Sequence, residues 1–217
     1  MPLRENLPST ASQTEIIGKN KLYLASAARN APFILEVLSQ YLPDKGKVLE
    51  IASGTGQHCT YFAEAFCNLE WQPSEINPKR LDSIQAYIKE TNQVNINMPL
   101  SLDATAENWA KEIGAYSVII EINFFHLISN KEMKTLIRES SLALQTNSYF
   151  VIYGPFMRGG ELTSDQDIKF HTSLIECDPD IGYKDDFDIL DEIEANNLSP
   201  EAIIEMPSNN LMFIAKK

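Results

Sequence analysis

Glu50-Ile51-Ala52-Ser53-Gly54-Thr55-Gly56 brings an acidic side chain, two more small residues and two glycines into one short run, and a second acid, Glu75, follows about 20 residues on. Such a run suits a nucleoside cofactor. Glycine lets the backbone approach a ligand in space that a side chain at Gly54 or Gly56 would fill, and a carboxylate offers two oxygens to the paired hydroxyls of a ribose. A lone Gly-x-Gly also serves ordinary turns, and an acid at a strand end is often only solvated. The order strand, acid, glycine turn, helix therefore carries the reading.

Further candidates sit where later strands should end. Asp103-Ala104 follows the third apolar run, where the carboxylate suits an adenine amino group and the Ala104 amide a ring nitrogen; Asp103 as a helix N-cap is the plain alternative. Glu121-Ile122-Asn123-Phe124-Phe125-His126 sets polar groups among bulky apolar ones, with Asn123 and His126 placed to orient a substrate or accept its proton. His126 reads equally well as a structural histidine, Tyr153 as a strand-end tyrosine and Arg29 as a surface arginine. His58, His126 and His171 have no metal-ligand spacing, so no metal site is expected.

The elements that must position these groups follow from periodicity. A helix carrying Phe33, Ile34, Val37, Leu38 and Tyr41 ends before Pro43. Strands are expected at Lys47–Ile51, Leu69–Glu75, Met98–Leu102, Tyr116–Ile122 and Tyr149–Tyr153. Helices are expected at about 57–66, after the Asn77-Pro78 cap, around Trp109, after an Asn130 cap and at about 185–196. Ala202–Met206 and Leu211–Ala215, joined by Pro207-Ser208-Asn209-Asn210, form an antiparallel pair. The pattern predicts an α/β protein with a Rossmann-like, doubly wound, seven-stranded sheet, parallel except for its C-terminal hairpin. One domain over 1–217 is expected, with the N-terminal segment 1–30 and an insertion at 154–184, containing a helix from Thr163 or Ser164 to Glu176, covering the crevice.

Composition removes other classes. A net charge of −12 without a Lys/Arg cluster excludes a nucleic-acid grip. No apolar run is long enough for a membrane span, and the first residues lack the apolar stretch of a signal peptide. Cys59, Cys67 and Cys177 are an odd, scattered set that suits reduced thiols, so a cytoplasmic location is expected, with a small-molecule or protein substrate.

The run Glu50 to Gly56 resembles the first motif of class I S-adenosylmethionine-dependent methyltransferases, with Ala52 in place of the usual first glycine. Ala27-Ala28-Arg29-Asn30, Val48 to His58, Trp71 to Glu75, Asp82-Ser83-Ile84, Tyr153-Gly154-Pro155-Phe156 and Met206 to Asn210 together resemble the methyltransferase-like 26 family, in order and across nearly the whole chain. The resemblance implies S-adenosylmethionine held by Glu50, Ala52, Ser53, Gly54, Gly56, Glu75, Ile76, Asp103, Ala104 and Asn123. Arg29, Asn123, His126 and Tyr153 become candidates for acceptor orientation or proton transfer, with Tyr23, Asn209 and Asn210 as further wall residues. Arg29 has two possible partners, the methionine carboxylate or an acidic acceptor. Glu75 stands where the family has Asp, and Glu121 where it has a small or apolar residue. Two rivals are a cofactor-binding module without turnover and a nicotinamide-dependent oxidoreductase; Cys59 at the third glycine position of Gly-x-Gly-x-x-Gly and the terminal hairpin oppose the second.

Overall fold

The computed structural model describes residues 7, 8, 11 and 14–217. A two-strand ribbon, β1 (Glu15–Ile16) and β2 (Leu22–Tyr23), leads into α1 (Ala25–Tyr41). Alternating units follow: β3 (Gly46–Ile51), α2 (Gln57–Ala65), β4 (Leu69–Glu75), α3 (Pro78–Glu90), β5 (Leu100–Ser101), α4 (Ala110–Ile113), β6 (Tyr116–Ile122), α5 (Asn130–Ala143) and β7 (Leu144–Met157). The chain closes with α6 (Asp165–Cys177), β8 (Lys184–Asp185), α7 (Asp186–Ala195), β9 (Ser199–Met206) and β10 (Asn210–Lys216).

The strands lie in the order β5-β4-β3-β6-β7-β10-β9, with β8 paired to the far end of β7. Within this sheet the strand pairings are parallel except those of β10, which runs antiparallel to both β7 and β9. The expected doubly wound sheet with its terminal hairpin is therefore the architecture found. β6 reads as a nearly continuous apolar run because both faces are covered. On one face Ile34 and Leu38 of α1, Phe62 of α2 and Ile84 of α3 pack on Val48, Trp71, Val118 and Ile120. On the other Ala110 of α4, Leu136 of α5 and Ile189 of α7 meet Leu49, Ile119, Phe150 and Ile152. Fully burying each such side chain is worth about 1.5–3 kcal/mol, so this two-sided core sets the register of the strand tips.

Local expectations needed revision in four places. The cap of α5 is Ser129, in a reciprocal capping box with Glu132, and Asn130 is already helical. β5 is only Leu100–Ser101, whereas β7 runs past Tyr153 to Met157 because Phe156 and Met157 pair with β8. Asp103 caps no helix: its carboxylate accepts from the Thr105 N–H at 3.0 Å and hydroxyl at 2.7 Å, and α4 begins only at Ala110.

Among the ties that hold the 154–184 segment, one carboxylate gathers four. Asp167 of α6 accepts from Ser164 and Thr163 at its own end, from the Tyr183 hydroxyl at 3.0 Å, and from Asn209 in the β9–β10 turn at 3.0 Å. Burial raises its affinity for a proton, but these hydrogen bonds outweigh that and hold the carboxyl below its usual range. Ser208 and Asn209 have φ values of 61° and 59°, so the turn presents Asn209 to α6 and starts β10 at Asn210.

Candidate functional site

The tips of β3, β4, β6 and β7 meet at the carboxyl edge of the sheet, where the strand order changes direction. After Ile51 the chain bends sharply. Ala52 has φ 51° and Gly54 φ 59°, both left-handed. The bend is tied to β4 by hydrogen bonds from Ser53 N–H to Ser74 O at 2.8 Å and from Ser74 N–H to Ser53 Oγ at 3.2 Å. Glu75 adds a third tie, accepting from Gly54 N–H through Oε2 at 3.1 Å, while its Oε1 accepts from the Ile76 and Asn77 amides at 2.9 and 3.1 Å.

The two glycines of the motif have separate tasks. Among the described residues, a Cβ on Gly54 would meet only Ala52 O within 4 Å, at 3.9 Å, so this residue opens onto the cleft. A Cβ on Gly56, where φ is 93°, would lie 2.8 Å from Ile84 Cα. Gly56 thus allows α2 to start against α3, and it lines neither cavity described below. The steric demand at this glycine is therefore set by packing against α3.

Two cavities flank the bend. The smaller, about 90 Å³, is lined by Glu75, Ile76, Asp103 and Ala104, with Leu102 and Thr105 beside them. The acid and the third-strand pair are therefore brought to one place. Glu75 differs from the expectation in one respect, since three backbone amides already use its oxygens and the Arg80 guanidinium lies 3.7 Å from Oε2.

The larger cavity, about 300 Å³, has Glu50, Ala52, Ser53 and Gly54 on its floor. Asn123 (φ 59°), Phe124 and His126 form one wall, Arg29 and Asn30 of α1 another, and Phe170, Tyr183 and Asn210 a third. Leaving β6 in a left-handed turn suits Asn123, because asparagine tolerates that conformation; its N–H donates to Tyr153 O at 2.7 Å. Ala52, Arg80, Phe124 and Leu127 border both cavities, so these form one groove divided by side chains.

Two buried polar atoms on the larger cavity have no hydrogen-bond partner among the described residues: Glu50 Oε2 and His126 Nδ1. Burial pushes the Glu50 carboxyl up to about 7, offset only in part by the neighbouring Ser53 and Cys59 side chains. Burial, reinforced by the Lys184 ammonium, pushes His126 down to about 3. Lys184 is itself buried, donating to Ile128 O at 2.6 Å and Gly182 O at 3.1 Å. His126 is therefore a neutral imidazole at pH 7 and a weak base, on the larger cavity where a proton acceptor was expected.

Other expectations shift. Tyr153 is a core residue that does not line the groove; its hydroxyl accepts from the Asn210 amide at 2.9 Å and thereby fixes a side chain that does. Tyr23 faces a separate surface hollow with Tyr61 and Tyr87. Asn209 serves Asp167. Glu121 lines neither cavity: it is buried, one oxygen accepts from the Phe124 N–H, and burial raises it to about 8. Of the segment 1–30, residues 24–30 reach the larger cavity through Leu24, Ser26, Ala27, Arg29 and Asn30, and Ala11 lies there too. Residues 1–6, 9, 10, 12 and 13 lie outside the described residues. Arg80, Phe170 and Tyr183 escaped the sequence reading. Arg80 had a signal, the Asn77-Pro78 start that places it in the first turn of α3, while Phe170 and Tyr183 had none.

A family model described as protein of unknown function (DUF938) matches residues 21–217. Among solved structures, the chain is similar to PigF with SAH, at TM-score 0.75 and 15% identity, covering 88% of this chain and 56% of that one. It is similar to an O-methyltransferase family protein from Burkholderia thailandensis, at TM-score 0.73 and 15% identity over 88% and 57%. It is also similar to the mitomycin 7-O-methyltransferase MmcR, at TM-score 0.74 and 11% identity over 89% and 54%. The chain thus spans just over half the length of these proteins, and what they share with it is the class I methyltransferase fold. Among the described residues, no helix is long and apolar enough to cross a membrane, and no three His, Cys, Asp or Glu side chains gather as a metal site would require.

Proposed function

The chain belongs to the DUF938 family of proteins of unknown function, and from that premise and the groove we propose that it is an S-adenosylmethionine-dependent methyltransferase acting on a small molecule. The observation that carries this reading is the divided groove itself: an acid-lined nucleoside cavity and a larger cavity joined over a bend that Gly54 leaves open. The cofactor supplies a methyl group on a sulfonium, an electrophile that a nucleophile attacks in line.

The chain's residues fit that group. Asp103, Ala104 and Ile76 would hold the adenine end, and Glu75 would accept from the ribose. Glu50, with one buried oxygen lacking a partner, suits the ammonium of the methionine tail, because a buried carboxylate is least costly beside a cation. Asn123 stands where tail and acceptor meet. In the remainder of the larger cavity, Phe124, Phe170 and Tyr183 offer apolar walls and Arg29 and Asn210 polar anchors. Limited volume favours a small molecule over a protein acceptor. With His126 neutral and weakly basic, the rate gain comes from holding the nucleophile near the methyl group away from water, and the acceptor enters with its attacking lone pair already free. Residues 24–30 and the 154–184 insertion are the covers in this reading.

The weak base also favours a second reading, cofactor binding without turnover. Isothermal titration with S-adenosylhomocysteine tests the first step: no binding by folded protein at millimolar ligand rejects both readings. Methyl transfer to any member of a small-molecule library then supports the enzyme over the binding module.

A further inference from the structure

Arg80 has no place in the cofactor site as described so far, yet it borders both cavities and stands beside the acid expected to hold the ribose. A carboxylate offers about four acceptor positions. On Glu75, the Ile76 and Asn77 amides take both on Oε1, and the Gly54 amide takes one on Oε2. One position is left for a sugar hydroxyl, on the oxygen that faces the Arg80 guanidinium at 3.7 Å.

We propose that Arg80 is a latch in the cofactor site: it competes with the ribose for Glu75 and moves onto the carboxylate of the cofactor's amino-acid tail when the nucleoside is seated. This rests on the S-adenosylmethionine reading above. Three features support the exchange. At 3.7 Å the contact to Glu75 is longer than the 2.7–2.9 Å of a charge-assisted hydrogen bond, so at that carboxylate it is a weaker interaction than a forked guanidinium–carboxylate pair. The backbone of this turn is held, since Asn77 accepts from the Lys79 and Arg80 amides at 2.9 and 3.4 Å and Pro78 opens the helix, so movement falls to the side chain. The residue also reaches the Gly54 side of the groove, where the tail's carboxylate would lie opposite the Glu50 carboxyl that suits its ammonium.

The latch makes Arg80 a discriminator between ligands with and without an amino-acid tail. The experiment is isothermal titration of the wild-type protein, Arg80→Ala and Arg80→Lys with S-adenosylhomocysteine and with 5′-methylthioadenosine, which keeps the nucleoside and thioether but lacks the tail. Arg80→Ala should weaken S-adenosylhomocysteine about tenfold or more, the scale of one lost charged hydrogen bond, and tighten methylthioadenosine by about two- to fivefold through relief of competition at Glu75. Arg80→Lys should fall between, since it keeps the charge without the fork. Equal weakening of both ligands would reveal a merely structural residue and overturn the latch, as would no change in either. Failure of the wild-type protein to bind either ligand removes the cofactor reading, and the latch with it.

Discussion

Adding one methyl group to each glycine of the motif should separate two tasks that sequence treats alike. At Gly56 an added Cβ meets Ile84 Cα at 2.8 Å and Cγ1 at 3.2 Å, with φ at 93°. The left-handed backbone costs a non-glycine residue about 1–2 kcal/mol, and moving α2 away from the α3 backbone adds about 1–3 kcal/mol. Gly56→Ala should therefore lose about 3 kcal/mol, equivalent to about 6–12 °C in melting temperature at this size. At Gly54 only the backbone cost of about 1 kcal/mol applies, because the nearest atom is Ala52 O at 3.9 Å. Its new methyl group enters the groove instead, so Gly54→Ala should weaken S-adenosylhomocysteine about tenfold or more. Urea unfolding and isothermal titration on both variants provide the readouts. Equal stability losses, or folded Gly56→Ala losing the ligand while Gly54→Ala keeps it, would refute the division of labour.

Ala52→Gly should stabilise the protein by up to about 1 kcal/mol in urea, since relief of a left-handed alanine at φ 51° exceeds the extra freedom glycine gives the unfolded chain; a loss of stability would show the bend is unstrained. Glu121 titrates near 8 when folded and near 4.5 when unfolded, so the native state keeps a proton that the unfolded chain releases between those values, and this group's contribution to stability falls as pH rises across that window. Glu121→Gln should remove that component and gain most over the parent above pH 8, read from urea midpoints at pH 5 and 9; parallel profiles would contradict it. His126 acts with the opposite sign: its folded value near 3 lies below the usual 6.5, so its contribution is present above 6.5 and is lost as pH falls toward 3, a component His126→Asn should abolish. If Glu50 pairs with the ammonium of the tail, S-adenosylhomocysteine should bind more tightly at pH 8 than at pH 6, and Glu50→Gln should bind more weakly with little pH dependence; an unchanged profile would remove Glu50 from the site.

Local chemistry made the outline readable in the sequence. Apolar runs such as Val118–Ile122 announce buried strands, Asn77-Pro78 announces a helix start, and a short link between two closing strands permits only an antiparallel pair, so the fold followed from interactions among near neighbours. The lining of the smaller cavity was readable too. Strand ends place Glu75, Ile76, Asp103 and Ala104 at one edge, and parallel pairing of β3, β4 and β5 does the rest. Tertiary structure decided what each side chain does there. Gly56 became a packing residue because α3 brings Ile84 against it, Tyr153 became a support because β10 delivers Asn210 to its hydroxyl, and His126 lost its basicity because Lys184 and its own burial surround it. Each of these outcomes depends on a partner distant in sequence. Periodicity reports which face a residue turns inward, whereas charge state, steric clearance and hydrogen-bond supply are set by whatever the rest of the chain brings to that face.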